Sequence, residues 1–139
     1  MADPIYSKFL GTWVLDAPSC LYEQGAPPRS ETHRIDLDGE ELVFNMDWVD
    51  ATGEAHHASF RAKPDGSHIP FDAGPLADTL CVRAKSETEL NSSALRDGVE
   101  LMVAERTLSG SGTTMHFLQK VNLPDGTSPT NRATYHRQQ

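Results

Sequence analysis

Residues 38–49 read DGEELVFNMDWV, an Asp-Gly pair followed by Leu42, Phe44, Met46 and Trp48 alternating with Val43, Asn45, Asp47 and Val49. A period of two sends the first four side chains to one face of a strand and the other four to the opposite face. One face is apolar and the other mixed, as for a strand lying on a core, and the Asp-Gly ahead of it marks a hairpin turn. Similar punctuation recurs at Thr52-Gly53, Asp65-Gly66, Asp97-Gly98, Ser109-Gly110 and Asp125-Gly126. Alternation returns in Leu80, Val82 and Ala84, and again in Val99, Leu101 and Val103.

Working outward from that hairpin, strands are expected over 11–16, 31–37, 41–49, 55–63, 67–71, 78–84, 87–94, 98–107, 113–121 and 131–137. A short helical turn is expected within Pro4–Leu10, with Pro near the start where its missing N–H costs nothing. Nothing else is suited to a crossover helix, so a parallel sheet is excluded. The fold class expected is all-β, an up-and-down antiparallel β-barrel of about ten strands, with residues 1–139 as one domain. The stretch Ala17–Ser30, with Gly25 and Pro27-Pro28, reads as the longest loop and is expected to cross a barrel end. Sliding the chain by 59 positions lays Asp38, Gly39, Glu41 and Leu42 on Asp97, Gly98, Glu100 and Leu101, and so pairs Phe44 with Val103 and Met46 with Glu105 in role.

The composition sits close to that of disordered chains: Leu, Ile, Val and Phe total 28 of 139 residues under a net charge of −8. A barrel resolves the conflict, because each strand needs only one apolar face. Charge excludes a nucleic-acid partner: the first 70 residues hold 5 basic and 12 acidic side chains, and no basic cluster exceeds two residues. The same balance argues against anionic membranes, and no apolar run approaches a bilayer span. The N-terminus shows no export pattern, so a cytoplasmic location is expected, or a periplasmic one if a signal was removed. Cys20 and Cys81 lack CxxC spacing and are expected as free thiols in that compartment.

Gly11-Thr12-Trp13 directly after a helical turn, followed by the meander, resembles the calycins, meaning the lipocalins and fatty-acid-binding proteins. The longer segments GTWVLDAPSCLYEQGAPPRS (11–30), GEAHHASFRAKPDG (53–66), IPF (69–71) and ADT (77–79) resemble small bacterial lipocalin-like proteins of unassigned function. The resemblance implies a small barrel whose interior holds an apolar molecule. It also implies that Trp13 packs at the closed end beneath an arginine of the last strand, Arg137 or Arg132. Two departures stand out. The portal helices of fatty-acid-binding proteins are missing after the first strand, and Arg132 and Tyr135, three apart, point to opposite faces and form no Arg-x-Tyr clamp.

Among candidate chemical groups, the six histidines show no HxH, HExxH or His/Cys spacing, and no cofactor or metal is called for. If Phe60 and Phe117 face inward, His57 and His116 face out. Glu105 shares its face with Val99, Leu101 and Val103, so it is expected inside the barrel unless the strand twists out or carries a bulge. Inside, a carboxylate needs a partner such as Arg83, Arg106, Gln119 or Tyr135. The ligand-binding set expected is therefore Phe44, Trp48, Phe60, Leu101 and Phe117, with Glu105 and Tyr135 at the polar end. No nucleophile elbow or phosphate loop is present, so an enzyme is possible but not indicated, and the chain reads as a binder of a small apolar or amphipathic molecule. Two alternatives follow in order: an interaction module or homodimer using outer-face Val43, Val49, Met102 and Leu108, and a cavity enzyme doing proton transfer or isomerisation.

Overall fold

The computed structural model describes residues 4–71 and 77–138. A 3-10 turn at Ser7–Phe9 leads into ten strands: β1 Gly11–Tyr22, β2 Ser30–Asp38, β3 Glu41–Val49, β4 Ala55–Ala62, β5 Asp65–Pro70, β6 Thr79–Ser86, β7 Glu89–Arg96, β8 Val99–Leu108, β9 Thr114–Val121 and β10 Thr130–Arg137. They form one antiparallel sheet in the order β4-β3-β2-β1-β10-β9-β8-β7-β6-β5. The sheet curls until β4 nears β6, giving a nearly closed barrel. Strands β4 and β5 are its two edges, and the Phe60 and Phe71 rings meet near this seam with centroids 6.5 Å apart. The all-β meander read from the turn pattern is the fold observed.

The N-terminal end of β1 is the closed end. Trp13 is fully buried and donates from Nε1 to the carbonyl of Phe9 at 3.0 Å. The Arg137 guanidinium covers its indole at 4.3 Å and donates to the carbonyls of Leu10 (2.8 Å), Lys8 and Gly112 (3.3 Å). Of the two arginines expected over the indole, Arg137 takes the position; Arg132 is exposed on the outer wall. Gly11 makes this closure feasible: its φ is +128°, and a Cβ there would lie 2.8 Å from Arg137 Nη1. Above Trp13 the inward residues Ile35, Leu42, Phe44, Val82, Leu90 and Met115 are fully buried.

Two readings of the sequence are corrected here. The first concerns 17–30, of which 17–22 is strand and not loop. Pro18 offers no ladder N–H, and the β1–β10 register shifts between Asp16 and Leu21. The Ser19 hydroxyl fills the gap, donating to the Asp16 carbonyl at 2.5 Å and accepting the Thr134 N–H at 2.8 Å. Only 23–29 link β1 to β2, with no helix.

The second concerns β8. Leu95 pairs with Glu100, but Ala94 pairs with Met102, so Leu101 is an extra residue in a β-bulge. Beyond it Ala104, Arg106 and Leu108 are buried, while Val103 and Glu105 lie on the outer wall. The register implied by the 59-residue repeat therefore fails, because Phe44 is inside and Val103 outside. The outer apolar patch also shrinks, since Leu108 is buried and Met102 shares the inner face with Arg106, leaving Val43 and Val49 outside.

Candidate functional site

The bulge places an arginine at the centre of the barrel. Arg106 stands opposite Leu90 on β7 and Phe117 on β9, and is 2 % exposed. Its Nε donates to His33 Nε2 at 3.4 Å and its Nη1 to Ser92 Oγ at 3.1 Å. The rings of Phe44 and Phe117 lie on it, with centroids 4.8 and 5.2 Å from Cζ. No carboxylate among the described residues comes within 4.0 Å of this guanidinium. Burial lowers its pKa to about 10, opposed by Tyr135 and Glu31, so it remains charged at neutral pH.

β2 supplies the next two groups. Arg106 donates to His33 Nε2, so that nitrogen accepts and the ring proton sits on Nδ1. Nδ1 has no hydrogen-bond partner, and Glu31 Oε2 is 3.7 Å away. Burial, with Arg106 adding to it against the pull of Glu31, lowers the His33 pKa to about 4, and the ring is neutral. Glu31 Oε2 accepts the Tyr135 hydroxyl at 2.7 Å. Burial and then the Glu31 charge hold the Tyr135 pKa far above the usual range, so this phenol is a permanent donor. The network thus runs Tyr135, Glu31, His33, Arg106, Ser92, with an imidazole between carboxylate and guanidinium.

Around these polar groups the aromatic residues form a cluster. Phe44 and Phe60 stack at 4.5 Å, and Phe117 meets Tyr135 edge-on at 5.9 Å. Nearer the open end, the inner-face residues Met46, Trp48, His56, Ala58 and Gln119 are all partly exposed, in contrast to the sealed layer below. Trp48 stacks on His56 at 5.3 Å. His56 Nε2 in turn meets Asp50 Oδ2 at 2.7 Å. Asp50 and Glu54 join His56 in a group whose ligand atoms lie within 4.8 Å. Asp50 Oδ1 already accepts from the Thr52 N–H, the Thr52 hydroxyl and the Glu54 N–H, so the group closes the β3–β4 turn.

Of the residues expected to line the interior, Phe44, Phe60, Phe117 and Tyr135 come together around Arg106, and Trp48 lies on the same inner face nearer the mouth. Glu105 does not join them, because the bulge turns its face outward, and Leu101 is the unpaired bulge residue. Arg106, His33, Ser92 and Glu31 are the groups missing from that set. The one signal for His33 and Glu31 was available: they alternate with Arg34 and share a face with Ile35 and Leu37. His57 and His116 face outward as expected, and Arg132 and Tyr135 lie on opposite faces of β10.

The fold is the fatty-acid-binding-protein- and lipocalin-like barrel. Zebrafish ileal bile acid-binding protein, solved with cholic acid, superposes with a TM-score of 0.56 at 11 % identity, over 94 % of this chain and 99 % of that one. A protein of unknown function of the DUF3598 family from Nostoc punctiforme matches with a TM-score of 0.58 at 18 % identity, over 98 % of this chain. This chain spans 51 % of that protein. No protein-family profile matches the sequence. No curated protein matches it either. Among the described residues no helix is long and apolar enough to cross a membrane.

Proposed function

We propose that the barrel binds a small amphipathic acid, its anionic head on Arg106 and its apolar part against Phe60, Met46 and Trp48. The observation that carries this reading is a fully buried guanidinium with no carboxylate in ion-pair reach. Two neutral hydrogen bonds and two ring faces offset only part of the cost of burying a charge. A ligand carboxylate would supply the missing counter-charge in two parallel N–H···O bonds. Glu31 cannot take that place while it holds the Tyr135 hydroxyl and stands beyond His33. The aromatic and methionine lining supplies apolar area, worth roughly 25 cal/mol per Å2 removed from water. The cholic acid carried by the zebrafish protein of this fold supports an interior ligand.

Trp48 provides the readout, since it lies at the mouth while Trp13 is sealed beneath Arg137. Titration of tryptophan emission with dodecanoate is expected to saturate, and its methyl ester is expected to bind about tenfold more weakly or worse for want of the charge. Equal binding of acid and ester, or no binding of either, would remove the proposal.

A further inference from the structure

The outer wall of β7 to β10 and the end of β1 enclose a groove of about 370 Å3. Glu105, Leu118 and Arg132 stand side by side across its width, one on each of three neighbouring strands, and Leu21 follows beside Arg132. Among the described residues Glu105 and Arg132 make no hydrogen bond or ion pair. Asn91, directly across from Glu105 on β7, gives its amide N–H to Glu89 at 2.9 Å, and Lys85 also faces Glu89, at 3.8 Å. The depression on the β1–β4 side, of about 520 Å3, differs: its Arg34 is paired with Asp36 at 2.9 Å, and its Asp47 with His57 at 2.7 Å.

We propose that the outer groove binds a free apolar α-amino acid, its ammonium on Glu105, its carboxylate on Arg132 and its side chain on Leu118 and Leu21. Two strand spacings separate the backbones of Glu105 and Arg132 by roughly 10 Å. Side chains stand roughly perpendicular to a sheet, and the flexible stems of Glu105 and Arg132 let a ligand draw their charged ends to about that separation. Two charge-assisted hydrogen bonds of roughly 2.8 Å each leave about 4 Å between the ligand's own charges. That is the reach of an α-amino acid and too short for a long ω-amino acid. Leu21, 70 % exposed, and the half-buried Leu118 give the apolar surface against which such a side chain is removed from water.

The test uses the full chain, its assigned amide NMR spectrum and L-leucine as probe. Saturable shifts are expected at Glu105, Leu118 and Arg132. N-acetyl-leucine, lacking the ammonium, and leucinamide, lacking the carboxylate, are each expected to bind about tenfold more weakly or worse. Glu105→Gln and Arg132→Gln should have the same effect, and the two leucine derivatives keep the test independent of how the variants fold. Absence of saturable shifts, binding of either derivative as tight as that of leucine, or shifts confined to His33, Phe44 and Phe117 would overturn the assignment.

Discussion

Two hairpins of this barrel begin with the same words and end with opposite faces inward. In β2–β3, Asp38 pairs with Glu41 across Gly39-Glu40, with a positive φ at Gly39 alone, and the register runs unbroken to Ser30↔Val49. In β7–β8 the Asp-Gly pair is itself the loop. Asp97 and Gly98 both have positive φ, at 50° and 79°, between paired Arg96 and Val99, the pattern of a type I′ turn. Continued without interruption, that register would set Leu101 against Ala94 and Glu105 against Leu90. The bulge at Leu101 sets Met102 and Arg106 there instead. One inserted residue therefore exchanges an acid for a base at the centre of the barrel.

The largest test of this comparison is deletion within β8. Removing Leu101 takes out the bulge and leaves Met102 opposite Ala94, so the chain is expected to fold with its interior intact. Removing Val103 shifts everything beyond it, turning Glu105 inward and Arg106 and Leu108 outward. That variant is expected to lose cooperative unfolding, read by circular dichroism during denaturant titration.

Phe44 and Val103, equivalent under the 59-residue repeat, give the next contrast. Phe44 is fully buried and stacked on Phe60, so Phe44→Ala should cost about 3–5 kcal/mol in urea unfolding. Val103, on the outer wall, should cost about 1 kcal/mol or less as Val103→Ala. Equal losses at the two positions would mean that β8 is not flipped.

The third contrast lies along the pH axis. His33 titrates near 6.5 when unfolded and at about 4 when folded, so between those values the unfolded chain holds the additional proton. Stability should therefore fall as the pH drops from 6.5 to 4, by on the order of 3 kcal/mol from this residue. It should be unchanged on this account above 6.5, and His33→Gln should flatten the decline.

The comparison also explains how far the sequence could be read. Nine of the ten strands are legible to within about two residues, several from glycine turns such as Gly39 and Gly98 and from alternation such as Leu42 to Trp48, although the β6–β7 turn, Glu87-Thr88, carries no glycine and Gly66 lies within β5. β1 runs past its expected end at residue 16, because the Ser19 hydroxyl that repairs the ladder around Pro18 leaves no pattern in the chain. β8 differs: beyond the bulge Val103 is apolar although it faces outward, so alternation alone favours the wrong face. The sequence offers Arg106 only as one of several partners for Glu105, and arginines are rarely fully buried. Only the bulge and the rings of Phe44 and Phe117, brought from distant strands, show what it does.

The most direct measurement titrates Arg106→Met and Glu105→Gln with dodecanoate and its methyl ester. Replacing a buried unpaired charge by a packed apolar side chain should leave Arg106→Met folded, at a stability within about 1 kcal/mol of the parent or higher. Its preference for acid over ester should vanish, while Glu105→Gln keeps the parent's preference. Loss of the preference in Glu105→Gln together with its survival in Arg106→Met would contradict the account.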